Sequence, residues 1–403
     1  MSKRLIVWLL LALIASACTS PTPELATPSA SATASIPSET PTLTPIPPTA
    51  TLAPTDTPIP TNTPLPVVYG PDNFPTDMNP LTGMVVSDPA LLDRRPLSVK
   101  VQLFPRGQRP PFGITQADVV YDYYQNNGLT RLHAIFYGSN AAQVGPIRSG
   151  RLLDSQLVTM YNSVLAFGGA DRRILDVFYK STWADRLVFE GSQNCPPMCR
   201  VDPNGYNFLV TDTTELSKYI TEKGISNTRQ NLNGMVFHAL TPAGGQPGQQ
   251  FSVRFSISAY LRWDFDPASG RYLRFQDTQE DSTGGSGEGY APLIDQGNGQ
   301  QIAADNVVVL LLPHLYAYQS KSGVSEIVDI QFSGTGMAYA FRDGQIYSLN
   351  WSHASPEALF SLTFSDGADY PLKPGITWFE VIGQSSQILS VGTGIWRFQF
   401  AIP

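Results

Sequence analysis

Apolar and polar positions follow three different patterns along this chain. The first apolar run, Leu5 to Ile14, is unbroken and stands behind Lys3 and Arg4. It is too short to cross a bilayer as a helix. From Thr19 to about Pro66 there is no period at all, only Thr, Pro, Ser and Ala in stretches such as PTDTPIPTNTPLP. Such a sequence forms extended, hydrated chain and buries no core. Regular alternation begins only near Pro71.

From there to about Ala239 the pattern switches between periods of two and of three to four. Leu97 to Leu103 has strand composition. Ala117 to Gln125 and Leu129 to Tyr137 flank Asn126-Asn127-Gly128, which predicts a β-hairpin. Leu152, Leu153, Gln156, Leu157 and Met160 fall on one helical face. Ser163 to Phe167 reads as a short strand. Asp171 to Tyr179 reads as a helix with Ile174, Leu175 and Phe178 inward, and Thr211 to Lys223 as another, capped by Thr211 or Asp212.

Beyond residue 240 strands dominate: Phe251 to Ile257, Tyr260 to Phe265 and Arg271 to Gln276, with a turn at 266–270. The run Gly284 to Gly289 lacks the strand-to-helix setting of a phosphate cradle and reads as a flexible loop. Asn306 to Leu312 (NVVVLLL) is a buried central strand. Glu326 to Phe332, Met337 to Arg342 and Ile346 to Trp351 predict an antiparallel meander, which Trp378 to Ile382 would close. The fold class is therefore α+β. A mixed α/β domain at 71–240 precedes a mainly antiparallel, β-rich domain at 241–403, and no internal repeat is visible.

Small residues Ala15, Ser16 and Ala17 precede Cys18, and together with the apolar run they read as a lipoprotein signal over residues 1–17. Cys18 would carry the lipid, although Ala15 stands where such signals usually have Leu. Residues 18–70 then form a tether, whose Pro/Thr-rich part of about 48 residues reaches on the order of 150 Å if fully extended. Removing residues 1–17, which hold Lys3 and Arg4 and no acid, takes the formal charge from -7 to -9. An acidic chain repels phosphate backbones, so nucleic acid is not an expected partner, and membrane contact is expected through the lipid alone. Outside the cytoplasm Cys195 and Cys199 are expected to form a small disulfide rather than a metal clip.

Catalytic signatures are thin. His133, His238, His314 and His353 are isolated, with no zinc-ligand spacing, and neither GxSxG nor SxxK occurs. No metal or cofactor is expected. Acids such as Asp118 with Asp122, or Asp154 with Asp171, are the weak material for a glycosidase. The best candidate site is Gly145 to Arg151 (GPIRSGR), which leads into a helix: two arginines crowd a helix N-terminus, where an anion would relieve them. Just downstream, strand, Gly168-Gly169 and helix place open backbone at a strand's carboxyl end. Arg148 and Arg151, the Gly168-Gly169 amides, Arg172 or Arg173, and Asp122 as an orienting acid would form one pocket. The competing reading is ordinary ion pairing with Asp118, Asp122, Asp154 and Asp171. Tyr121, Tyr123 and Tyr124 offer rings for sugar stacking, or simply core packing.

Several stretches in order resemble the YerB-like bacterial lipoproteins, a two-domain family of unknown function. They are NPLTG (79–83), RRPLSVKV (94–101), ADVVYDYYQNNGLTRLHAIF (117–136), VGPIRSGR (144–151), Gly168-Gly169, NVVVL (306–310), FRDGQIYSLNWSHAS (341–355) and LKPGITW (372–378). The resemblance runs from about Asn79 to Val381. It implies a surface lipoprotein and no reaction, and it adds Asn207 to the ligand-binding candidates. Tyr206-Asn207 stands where the family tends to have His-Asn, and Leu293 where it tends to have a histidine. Both differences weigh toward binding. The leading expectation is thus a lipid-anchored extracytoplasmic protein that binds cell-wall glycan or an envelope protein, with the C-terminal domain bearing Trp351 and Trp378 supporting a partner surface or the second wall of the cleft. The alternatives are a wall glycan hydrolase using paired carboxylates and a structural or assembly lipoprotein with no small ligand.

Overall fold

Hydrophobic alternation becomes a layered structure in which one long sheet runs through both halves of the chain. The computed structural model describes residues 67–202, 208–323 and 325–402. The signal, Cys18 and nearly all of the tether lie outside the described residues, as do Tyr206 and Asn207.

The strands used below are β1 (Leu97–Val101), β2 (Val119–Asn126), β3 (Leu129–Phe136), β4 (Val164–Phe167), β5 (Leu187–Phe189), β6 (Gln250–Arg254), β7 (Tyr260–Asp266), β8 (Arg271–Asp277), β9 (Asn306–Leu312), β10 (His314–Gln319), β11 (Glu326–Ile330), β12 (Gly334–Arg342), β13 (Gln345–His353), β14 (Thr377–Gly383), β15 (Gln387–Gly392) and β16 (Ile395–Gln399). The helices are α1 (Leu152–Tyr161), α2 (Arg172–Tyr179) and α3 (Thr213–Glu222).

The hairpin β2–β3 forms at Asn127 and Gly128, whose φ angles of 50° and 75° suit the tight turn. Asp171 caps α2 through the Arg173 N–H, and Asp212 caps α3 through the N–H groups of Thr214 and Glu215. The N-terminal half is mixed as expected. The whole is β-dominated, so the α+β reading describes that half better than the molecule.

The long sheet runs β13-β12-β9-β14-β2-β3-β1-β4-β5, with 246–247 on the β13 edge. Here the expected meander needs two corrections. Trp378 to Ile382 does not close it. β14 lies parallel between β9 and β2, pairing Trp378 with Val307 and with Val120, so hydrogen bonds join the two halves of the chain. Every residue of β9 and of β14 is buried, the signature of strands covered on both faces. Nor does Glu326 to Ile330 join the meander. It pairs with β10 as a separate ribbon, and the Ser320 N–H donates to the Ser325 carbonyl at 2.7 Å between the two strands.

One face of the long sheet is covered by α1, whose Tyr161 hydroxyl meets that of Tyr121 at 2.7 Å. The other face is covered by a second sheet containing β8-β7-β6-β16-β15. The Gly284 to Gly289 loop beside that sheet is tied down rather than loose: Asp281 accepts the N–H groups of Thr283 and Gly285, and Glu288 pairs with Arg254 and Arg397.

Close packing where β14 ends makes a direct test. A Cβ on Gly383 would stand 1.8 Å from the Ala401 carbonyl oxygen, a backbone atom that must move. Gly383→Ala is expected to lower the unfolding free energy by about 1–3 kcal/mol in a denaturant melt, the usual cost of overpacking.

Candidate functional site

Two of the predicted turns do come together. The Arg148 N–H donates to the Lys100 carbonyl (2.9 Å), the Gly168 N–H donates to the Arg148 carbonyl (2.9 Å), and the Gly150 N–H donates to the Gly169 carbonyl (2.8 Å). Because β1 and β4 are parallel neighbours, both turns sit at the same carboxyl edge of the sheet, where α/β layers open for ligands. The Gly168 amide is already used. Gly169 is different: its φ is 89° and a Cβ there would meet nothing within 4 Å, so the turn opens on space.

Arg151 immediately precedes α1, and its N–H donates to Asp154 Oδ2 at 2.6 Å. Its guanidinium donates to Gln125 Oε1 (2.7 Å) and to the Gly150 carbonyl (2.8 Å). Arg131, on β3, donates to the Ser149 carbonyl at 2.6 Å, while its buried Nε has no partner. Both guanidinium groups therefore end on neutral oxygens. Burial and then the neighbouring charge of Arg151 lower the Arg131 pKa well below its ordinary value, and Arg148 adds to that push.

Behind the arginines lies a buried polar layer between the sheet and α1. Lys100 Nζ donates to Tyr123 Oη (2.5 Å) and lies 3.3 Å from Asp154 Oδ1. Tyr123 Oη donates to the same carboxylate at 2.5 Å, and His133 Nδ1 meets it at 2.7 Å. Burial lowers the Lys100 ammonium to about 7, against the pull of Asp154. For Asp154, burial alone would push the carboxyl up. Lys100, His133 and Tyr123 together reverse this and hold it well below the carboxylate range. Within this group the charge of Asp154 acts on Lys100, Arg131 and Arg151, and Asp171, paired with Arg173, also acts on Arg151.

Asp122 is not in this site. Strand alternation turns it to the opposite face of the sheet, where it pairs with Arg274 at 2.6 Å, fully buried. Arg172 is exposed on the first turn of α2, and Arg173 is held by Asp171 (2.9 Å) and stacks on Tyr318 at 3.7 Å. Tyr121, Tyr123 and Tyr124 are all buried, so none is a sugar platform. Trp351 and Trp378 are also buried, which removes them from any partner surface. Cys195 and Cys199 are joined by a disulfide. Of the other acids, Asp118 lines a separate groove of about 620 Å³ with Asp305 and Arg271. Burial pushes its carboxyl up to about 6, although the Tyr137 and Gly138 amides oppose this.

Lys100, Arg131, His133 and Tyr123 escape a motif search because they are spread over three strands with no spacing that marks them as a group. The available signal is parity. Lys100 is the one charge in an apolar strand, and Arg131 and His133 are two apart, so they share a face. Register then sets Lys100 opposite His133 and Tyr123 opposite Arg131.

Residues 81–226 match the N-terminal domain, and residues 251–379 the C-terminal domain, of a family described as protein of unknown function (DUF3048). The chain is 24% identical over 326 residues to "Putative lipoprotein YerB" of Bacillus subtilis (strain 168), covering 78% of this chain and 89% of that protein. Its fold is similar to the crystal structure of YerB protein from Bacillus subtilis, with a TM-score of 0.60 at 21% identity. That match covers 76% of this chain and 96% of the other. Leu293, at one of the two positions that depart from the resemblance, is buried and lines a cavity of about 290 Å³ with Arg106, Arg109 and Asp277.

Proposed function

We propose that this chain, which belongs to the DUF3048 family, is a lipid-anchored extracytoplasmic binding protein whose Arg131–Arg148–Arg151 site holds an anionic group of cell-wall glycan. The observation that carries the reading is charge imbalance. Arg131 and Arg151 donate to carbonyl and amide oxygens rather than to carboxylates; among the described residues the acids that act on them are Asp154, which Lys100 shares, and Asp171, which is itself paired with Arg173. A guanidinium satisfied only by neutral oxygens keeps its attraction for an anion, and the α1 N-terminus adds its own.

The N-terminal sequence supports the setting. A signal over residues 1–17, a lipid on Cys18 and a proline-rich tether would hold the folded part away from the membrane on the outer face. The lipoprotein name of the Bacillus subtilis relative agrees with that placement.

The test is co-sedimentation of the detergent-solubilised full chain with purified sacculi, beside Arg148→Ala/Arg151→Ala. The wild type should pellet, and the double variant should lose at least tenfold in retention. Equal retention by a folded double variant would remove the site. Sugar released into the supernatant would favour a hydrolase instead, and the groove holding Asp118 and Asp305 would be the place to look for its acids. If neither protein is retained, the remaining candidate is an envelope protein partner.

A further inference from the structure

If these arginines bind a wall component, the chemistry of the group they hold can be read from the site itself. Two anions are candidates on a glycan, a carboxylate and a phosphate ester. They differ in charge and in the number of oxygens they present. A carboxylate offers one charge and two oxygens in a plane, and a single bidentate guanidinium satisfies it. A phosphate monoester offers three acceptor oxygens and up to two charges.

The site is built from several directions, not one. Arg131 comes from β3, Arg148 from the Gly145–Arg151 loop and Arg151 from the α1 boundary. The helix N-terminus adds a fourth positive element, and phosphate is the usual guest where such an end meets guanidinium groups. Helix geometry does not stand alone here. Arg131 Nε is a buried donor with no partner, and buried donors are rarely left so. The turn at Gly169, whose carbonyl accepts the Gly150 N–H, has open space where a Cβ would stand.

Lys100 supplies the second half of the argument. It is fully buried behind the arginines, with Tyr123 facing it from β2, His133 and Arg131 from β3, and Asp154 and Arg151 from α1. Near neutrality the balance of its charged and neutral forms is close, because burial opposes Asp154. A dianion arriving above it favours the charged form. Carboxylate binding, with one charge shared among three guanidiniums, would draw on Lys100 much less.

We propose that the group held by Arg131, Arg148 and Arg151 is a phosphoryl group carried by the glycan, and that Lys100 takes up a proton as it binds. This rests on the binding reading above.

The experiment is calorimetric titration of the detergent-solubilised full chain at pH 7.5 with four probes. They are inorganic phosphate, N-acetylglucosamine 1-phosphate, N-acetylmuramic acid, and vesicles containing phosphatidylglycerol. The two soluble phosphates should bind at least tenfold tighter than N-acetylmuramic acid. Arg131→Gln keeps an N–H donor for the Ser149 carbonyl, and it should weaken both phosphates at least tenfold. Repeating the titration in buffers of different ionisation enthalpy should reveal proton uptake that disappears in Lys100→Gln.

N-acetylmuramic acid binding as tightly as the phosphates would overturn the phosphoryl assignment and leave the anion site standing. Silence from every soluble probe, with sacculi still retained through Arg148 and Arg151, would overturn it too. Loss of both signals would sink the binding reading itself. Preference for the vesicles would move the phosphate from glycan to lipid headgroup and so overturn the glycan half. Binding without proton uptake would strike out the role given to Lys100.

Discussion

Arg274→Leu should lower the unfolding free energy by about 3–5 kcal/mol, the range seen when one partner of a buried ion pair is removed. Arg274 lies between the two sheets. It donates to Asp122 Oδ2 at 2.6 Å and to Glu380 Oε1 at 2.9 Å, and its guanidinium packs against the rings of Trp263 and Trp378 at 5.4 and 4.5 Å. All three side chains are completely buried. Without the arginine, Asp122 is a bare carboxylate in an apolar layer beside a second acid. The loss should appear as a lower denaturant midpoint. A drop under about 1 kcal/mol would mean that the triad does not hold the sheets together.

Two acids and one arginine leave one negative charge too many, and the surplus falls on Glu380. Burial raises its pKa strongly, with Asp122 adding to the rise and Arg274 opposing it. Glu380 therefore keeps its proton in the folded chain at pH values where the unfolded chain has lost it. The folded state binds more protons over that interval, so stability falls as pH rises from the ordinary glutamate pKa toward the raised one. Glu380→Gln mimics the protonated acid. It should leave stability unchanged or higher at neutral pH and should flatten this part of the pH profile. A variant as pH-sensitive as the wild type would show that Glu380 is ionised in the native state.

This triad also shows where reading the sequence succeeds and where it stops. Alternation along Tyr121-Asp122-Tyr123 separates Asp122 from its neighbours, but sequence alone still places it in the arginine pocket, because only register shows which of the two faces the arginines share. Its partners are hidden as well. Arg274 and Glu380 are distant in sequence, and each lies in a strand whose pattern specifies extended backbone without specifying a neighbour. The same gap hides β14. Its composition predicts a strand, but local order suggests the end of a meander, while parallel pairing with β2 joins residues more than 250 positions apart. By contrast, the β2–β3 hairpin, the caps on α2 and α3, and the meeting of the GPIRSGR loop with Gly168-Gly169 depend on neighbouring residues or on a general property of strand ends. Those features were legible. Lys100 and Arg131 were not, because a lone charge in an apolar strand acquires meaning only when register supplies what stands opposite.

Asp154→Asn should bring the second large effect, a loss of about 3 kcal/mol at pH 7. Asp154 is the buried carboxylate beside Lys100, Arg131 and Arg151, and it also accepts from Tyr123 and from the N–H of Arg151. Asparagine keeps one acceptor oxygen and removes the charge that the cations share. The sign with pH follows from the depressed pKa of Asp154. Its contribution is fully present above the unfolded value of about 3.9 and disappears as pH falls toward the lower folded value. The part of the gap that Asp154 titration controls should therefore narrow steadily below about pH 4. Lys100 bends the alkaline side. With its pKa lowered to about 7, the unfolded state binds the extra proton between there and the ordinary lysine value, so stability gains from rising pH across that range. Losing Asp154 removes what holds the Lys100 proton, so the gain should begin at a lower pH in the variant. Asp171→Asn is the control: its pair with Arg173 is on the surface and should change stability by less than about 1 kcal/mol. Equal effects for Asp154→Asn and Asp171→Asn would show that the buried layer is no more than another surface pair. A large and pH-dependent difference would establish it as the charge reservoir beneath the arginine site.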